Sequence, residues 1–238
     1  MRTVERVRDS ATDTYAFHSA VMKSVTVANA AYTMSLLLAS GAPPWLWLPF
    51  WIASSLILLV NLMGTLMGTR LISFDPDWRD SAYPLAQTIT EFLLYSTLVP
   101  VGASLPMLHY WYAVIACHAL LTVLIFSSIL AKTESAEVGP FMRSVLEHYR
   151  SVLRFRCKVV GGIAAFWLVA FALVDWYALP RHPGFENWQA VLGIGAVAMG
   201  FAAVRQENRS RKRLLQFVRE RSREATQTAV AASASVAK

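Results

Sequence analysis

Charge is scarce in this chain. Asp, Glu, Lys and Arg make up 16% of its 238 residues, where a soluble domain carries about a quarter. That shortage excludes a fold that faces water on every side. Cysteine is scarcer still, with Cys117 and Cys157 the two present. They are expected at different membrane depths and are not expected to pair. A disulfide scaffold is thereby excluded, and without a CxxC or a Cys/His cluster no metal or other cofactor is expected. TVGYG, Walker A, HExxH and GxSxG are all missing, and no lysine is expected within a span. Residues 1–20 lack an apolar core and include Glu5, Asp9 and Asp13, so they do not read as a cleaved signal.

Apolar residues, by contrast, are abundant at 55%, with 8 Trp and 12 Phe, which excludes a disordered chain. They fall into long runs between blocks of charge. Crossing the hydrocarbon core takes about 20 apolar residues, and six runs approach that length: 24–40, 45–67, 85–103, 107–131, 159–178 and 188–204. The fold class expected is all-α: a polytopic membrane helix bundle of about six spans in three hairpins. Residues 1–23 precede it, a basic helix is expected over 205–225, and the Ala/Ser-rich 226–238 are expected to lack structure.

Orientation follows from Lys and Arg, which stay on the cytoplasmic side. Of the 22, all but Arg181 lie in 1–23, 68–84, 132–158 and the tail from 205, which places both termini in the cytoplasm. Trp45, Trp47, Trp51, Tyr110, Trp111, Tyr112, Trp176, Tyr177 and Trp188 cluster at the opposite ends of the spans and are expected to form an interfacial belt. A first span kept as an anchor fits a bacterial inner membrane. Gly41-Ala42-Pro43-Pro44-Trp45 and Gly102-Ala103-Ser104-Leu105-Pro106 both read as outer turns.

The basic blocks have a pattern of their own. Between 139 and 157, Phe141, Val145, Tyr149 and Val152 recur on one helical face and Arg143, Glu147, Arg150 and Arg154 on another. This amphipathic helix is expected to lie on anionic headgroups. Arg211, Lys212 and Arg213 are expected to make similar contacts from the tail. Nothing in either block reads as specific nucleic-acid recognition. Asp75-Pro76-Asp77 has the form of a cation-binding DxD, but its proline makes an ordinary solvated turn the better account.

Polar residues inside spans are functional candidates, because burying them is unfavourable. Glu91 lies about 9 Å inside the third run at 1.5 Å per residue, with Gln87, Thr88 and Tyr95 on its face. Asn29 and Asn61 fall at about the same depth in the first and second runs, and Ser127 and Ser128 slightly shallower in the fourth. The expectation is a pore or binding layer with Glu91 as its carboxylate, against the plainer alternative of interhelical hydrogen bonds. Burial disfavours the charged carboxylate unless a cation or donor lies near, so Glu91→Leu is expected to leave the bundle intact or stabilise it. His118 joins the candidates, although depth arithmetic puts it about 10 Å further out, beyond direct contact with Glu91. His109 and His118 lie on opposite faces of one helix, which excludes clamping a haem. Asp175 is expected to pair locally with Arg181. Gly161 with Ala165, and Ala196 with Gly200, mark small-residue faces that are expected to pack runs five and six together or to form an oligomer seam.

Three function classes remain. The favoured one is an ion or small-solute channel or transporter, oligomeric or partnered with another membrane protein. An effector or accessory subunit of a defence, secretion or immunity system comes next. An intramembrane lipid-modifying enzyme comes last, since no nucleophile and base share a depth and a face.

Overall fold

A computed structural model of the protein describes residues 2–71, 78–135, 140–176 and 184–236. The elements are α1 (Arg2–Ser40), α2 (Pro44–Leu71), α3 (Trp78–Ser96), α4 (Tyr110–Ser135), α5 (Pro140–Trp176) and α6 (Phe185–Val236), and among the described residues there is no strand. Proline opens α2 and α5, where its missing N–H leaves no helical bond unmade. Gly41 ends α1 at φ +72° and Gly102 turns the chain between α3 and α4 at φ +60°, a region where a side chain is strained. The two turns thus share a left-handed glycine.

Among the described residues, four stretches are long and apolar enough to cross a membrane: Pro44–Met63, Tyr110–Thr133, Arg143–Trp176 and Phe185–Phe217. Over its described residues the protein is therefore all-helical, with four candidate membrane-spanning helices. The remaining two elements, α1 and α3, carry the charged and polar residues of the first and third expected runs.

Side-chain contacts set the direction of each helix. Asn29 on α1 reaches Phe92 and Ser96 on α3, so those two run the same way once Lys23 is seen against Glu91. On α2 and α4, Ser54 meets Trp111 and, two turns on, Asn61 meets His118, so this pair is parallel too. Ser55–Tyr95 and Asn61–Glu91 run α2 against α3. Gly193 beside Pro49 and Gly200 beside Leu56 lay α6 parallel to α2. Arg156–Glu207 and the stacked His148–Phe217 rings run α5 against α6. Successive helices therefore alternate in direction.

Packing departs from three sequential hairpins. The most extensive contacts are α4 with α5 and α2 with α6, followed by α1 with α3 and α3 with α4. The small-residue face of α6 explains part of this. A Cβ at Gly193 would fall 2.9 Å from Pro49 Cβ, and one at Gly200 2.9 Å from Leu56 Cδ1, whereas one at Gly161 meets nothing within 4 Å. The α6 glycines thus admit α2, not α5, and the α5 glycine face is left open.

The aromatic belt is also corrected in part. Trp47, Trp111 and Tyr112 are buried. Phe50, Trp111, Tyr112 and Trp167 form the core's aromatic centre, with Trp111–Trp167 centroids 5.3 Å apart edge-on and Tyr112–Trp167 5.5 Å apart stacked. Consecutive residues on a helix point to different faces, so only some of each aromatic cluster can face outward. Trp45, Tyr110, Trp176 and Trp188 do so, while Tyr177 lies outside the described residues.

At 37 and 52 residues, α5 and α6 are about 55 and 78 Å long, against a hydrocarbon core of about 30 Å. The expected headgroup helix over 139–157 is the first part of continuous α5. Its Val145, Leu146 and Leu153 are buried by the protein itself. The tail expected to lack structure is helical through Val236, which suits its alanine content, alanine being the strongest helix former.

Candidate functional site

One face of α1 is buried at Lys23, Thr26, Ala30, Thr33 and Leu37, spaced 3, 4, 3 and 4, the stripe of a packed helix. One face of α3 is buried at Thr88, Glu91, Leu94 and Tyr95. The two stripes meet. At their charged positions, Lys23 Nζ donates to both carboxylate oxygens of Glu91. Glu91 is 1% exposed and Lys23 6%, so the ion pair is desolvated.

The pair is extended across two further helices. Asn61 Nδ2 on α2 donates to Glu91 Oε1 at 2.7 Å and lies 2.9 Å from His118 Nε2 on α4. His118 Nδ1 lies 2.8 Å from Thr90 Oγ1, which donates to the Gln87 carbonyl at 2.8 Å. Donor chemistry orients this chain. An ionised carboxylate only accepts, so the amide nitrogen of Asn61 must face it. That same nitrogen is a donor to His118, so Nε2 accepts and the ring proton sits on Nδ1, donated to Thr90. The imidazole is 4% exposed and held at both nitrogens.

The other predicted residues are placed around this centre. Gln87 Nε2 donates to Thr122 Oγ1 at 3.4 Å, and Thr88 is buried on the Glu91 face. One turn further along α3, the Tyr95 hydroxyl lies 3.1 Å from Ser55 Oγ. Asn29 Nδ2 donates to the Phe92 carbonyl at 2.9 Å and to Ser96 Oγ at 3.5 Å, on the α1–α3 seam away from the carboxylate. Ser127 is exposed.

Two expectations need correction. His118 is not remote from Glu91 but joined to it through one side chain. Depth counted along separate runs ignores the offset between neighbouring helices, and Asn61 spans what remains. Lys23, expected among the free cytoplasmic charges, is the counter-ion of Glu91. The 3-4 spacing that carries Thr26, Ala30, Thr33 and Leu37 back to position 23 is the signal that could have placed it there.

The basic residues divide. Arg150 donates to the carbonyl and, at 3.3 Å, to the hydroxyl of Thr133, in the last turn of α4, where carbonyls have no helical partner. It therefore caps α4 and is not a free surface charge. Arg143, Arg154, Lys212 and Arg213 are exposed, and the Arg211 side chain lies outside those described. Asp75-Pro76-Asp77 and the Arg181 partner expected for Asp175 also lie outside the described residues.

Chemically, the site offers a fixed carboxylate with its cation, and a neutral imidazole one side chain away. No protein-family model, no curated protein and no solved structure matches the chain.

Proposed function

We propose that the chain is a multi-pass protein of a bacterial inner membrane that moves an ion or small solute, with Glu91 at the centre of its route. In this reading all six helices cross, both termini are cytoplasmic, and α5 and α6 project from the bilayer on that side. Alternation of helix direction and the placement of Lys and Arg support the topology.

One observation carries the functional part: a buried ion pair, Lys23–Glu91, linked by Asn61 to His118 across four helices. Stability does not account for it. Neutral polar contacts hold membrane helices together at about 0.6 kcal/mol each. Replacing a buried ion pair with apolar residues of similar volume is often neutral or stabilising by about 1–4 kcal/mol. A charged pair at the meeting point of α1, α2, α3 and α4 is therefore assigned to function, as ionisable groups within spans generally are.

The test is flux through purified protein in liposomes, wild type against Glu91→Gln, from about pH 5 to 8, the range in which histidine changes charge. Glu91→Gln keeps the side chain's shape and removes its charge. The expected result is a wild-type flux that the variant loses while remaining folded and reconstituted. Tight wild-type liposomes under every condition would overturn the proposal, as would equal flux in both proteins.

A second reading, an accessory or effector subunit, is favoured by the paired projection of α5 and α6, which carries exposed Arg143, Arg154, Lys212 and Arg213. It predicts activity only alongside a partner and tight liposomes without one.

A further inference from the structure

We propose, resting on the translocation reading above, that the species moved is the proton, and that the Asn61 side chain is the gate between the two groups that carry it, Glu91 and His118.

The geometry around Asn61 is the starting point. Its single Nδ2 atom lies 2.7 Å from Glu91 Oε1 and 2.9 Å from His118 Nε2, so those two acceptors are separated by less than about 6 Å, a gap that one bridging water fills. Both aim a lone pair at the same point. They are the two groups in the site whose chemistry lets each act as both proton acceptor and proton donor. What occupies the gap is an amide N–H, which donates to both and accepts from neither. Asn61 therefore holds a proton carrier on each side and insulates one from the other.

A proton suits this site better than a metal ion. Both Glu91 oxygens are already taken by the Lys23 ammonium. A metal cation would have to displace that tethered cation and then find further ligands. Among the described residues no group of three or more His, Cys, Asp and Glu comes together. A proton needs no such cage.

The transfer balances without any other reactant. When Asn61 swings aside and one water takes its place, protonated Glu91 gives its proton to that water. The water gives one of its own to His118 Nε2, and Glu91 returns to carboxylate. The imidazolium then releases its Nδ1 proton on the Thr90 side and is neutral again, with the opposite nitrogen protonated. Rotation of the ring then turns its Nε2–H to the Thr90 side and its bare Nδ1 to the water, so that the next proton enters in the same direction, and after that second release the reverse rotation restores the starting tautomer and Asn61 can close. No bond other than those to the moving proton is made or broken.

The experiment uses the full chain in liposomes with a trapped pH-sensitive dye, driven by a valinomycin-clamped potassium gradient. Asn61→Ala leaves room for a single water, and Asn61→Leu fills the gap with carbon. Proton flux is expected to rise by about tenfold or more in Asn61→Ala, where a positioned water completes the transfer path, and to fall below wild type in Asn61→Leu. Adding Glu91→Gln or His118→Phe to Asn61→Ala is expected to cut the flux by about 100-fold, the lower end of what a positioned proton-transfer group contributes. Asn61→Ser, a smaller opening, is expected to fall between wild type and alanine.

A structural role for Asn61 would move alanine and leucine in the same direction, and that result would overturn the gate. So would a leak in Asn61→Ala that survives Glu91→Gln. Glu91-dependent flux of potassium, sodium or chloride with no proton component would overturn the proton assignment and leave the translocation reading standing. No Glu91-dependent flux of any species would remove both.

Discussion

Removing one member of the Lys23–Glu91 pair and removing both should have opposite consequences. In Glu91→Met, the Lys23 ammonium remains 6% exposed among α1 and α3 side chains with its counter-ion gone, and Asn61 loses an acceptor. Breaking a buried ion pair from one side costs about 3–5 kcal/mol, and the lost Asn61–Glu91 hydrogen bond adds about 1 kcal/mol. Lys23→Met leaves Glu91, 1% exposed, with Asn61 as a remaining donor. The lysine of the first variant can relieve part of its burden by reaching toward water along its flexible stem. Glu91, short and enclosed, can do so only by taking up a proton, so neither single variant escapes. The double variant removes both charges at nearly constant volume and should return to within about 1–2 kcal/mol of wild type, the remainder being the lost Asn61–Glu91 hydrogen bond. At about 2–4 °C per kcal/mol for a chain of this size, the single variants lose roughly 6–24 °C of thermal midpoint and the double regains most of it. Thermal unfolding in detergent or bicelles, read as a double-mutant cycle, measures this. Additive losses, with the double variant worse than either single, would refute the pair as a coupled, desolvated unit. The same reasoning reverses the expectation drawn from Glu91 alone, that leucine there would be tolerated: with Lys23 in place, Glu91→Leu strands a cation.

Other substitutions test the packing. Gly200→Ala places a methyl 2.9 Å from Leu56 Cδ1 and should destabilise by about 1–3 kcal/mol, whereas Gly161→Ala, with open space beside it, should be neutral or stabilise by about 0.5–1 kcal/mol through helix propensity; thermal midpoints of the two against wild type decide it. Arg150→Gln should lose about 1.5–3 kcal/mol with the charged donor that caps α4 at Thr133, seen as faster amide exchange confined to the last turn of α4. The buried Tyr112 hydroxyl has no hydrogen-bond partner among the described residues, so Tyr112→Phe should be neutral or stabilising by about 1 kcal/mol, and a clear loss of thermal stability would show that the hydroxyl is bonded after all.

The reading of the molecule as a helical membrane protein rests on features that a sequence carries locally. Length and polarity of a run are properties of consecutive residues, and the bilayer imposes the same requirement on each one. Glu91, Asn61 and Asn29 stood out for the same reason, because a polar residue in an apolar run is visible without knowing its neighbours. Pro44, Gly41 and Gly102 likewise mark element ends through their own backbone preferences.

What no run discloses is which helix lies beside which, and at what offset. The glycines of α6 are visible in the sequence, but only packing shows that they admit Pro49, Phe50 and Leu56 of α2 and not α5. Trp111 and Tyr112 read as interfacial until α5 brings Trp167 against them. Lys23 reads as a free positive charge until the α1 stripe is docked on α3, where its ammonium reaches Glu91. His118 reads as remote until the two-turn repeat of α2 on α4 sets Asn61 between it and the carboxylate. Composition and local pattern depend on each residue's interaction with its surrounding medium, which every residue experiences independently. The site depends on pairwise distances between residues tens of positions apart, and those exist only once the helices have packed.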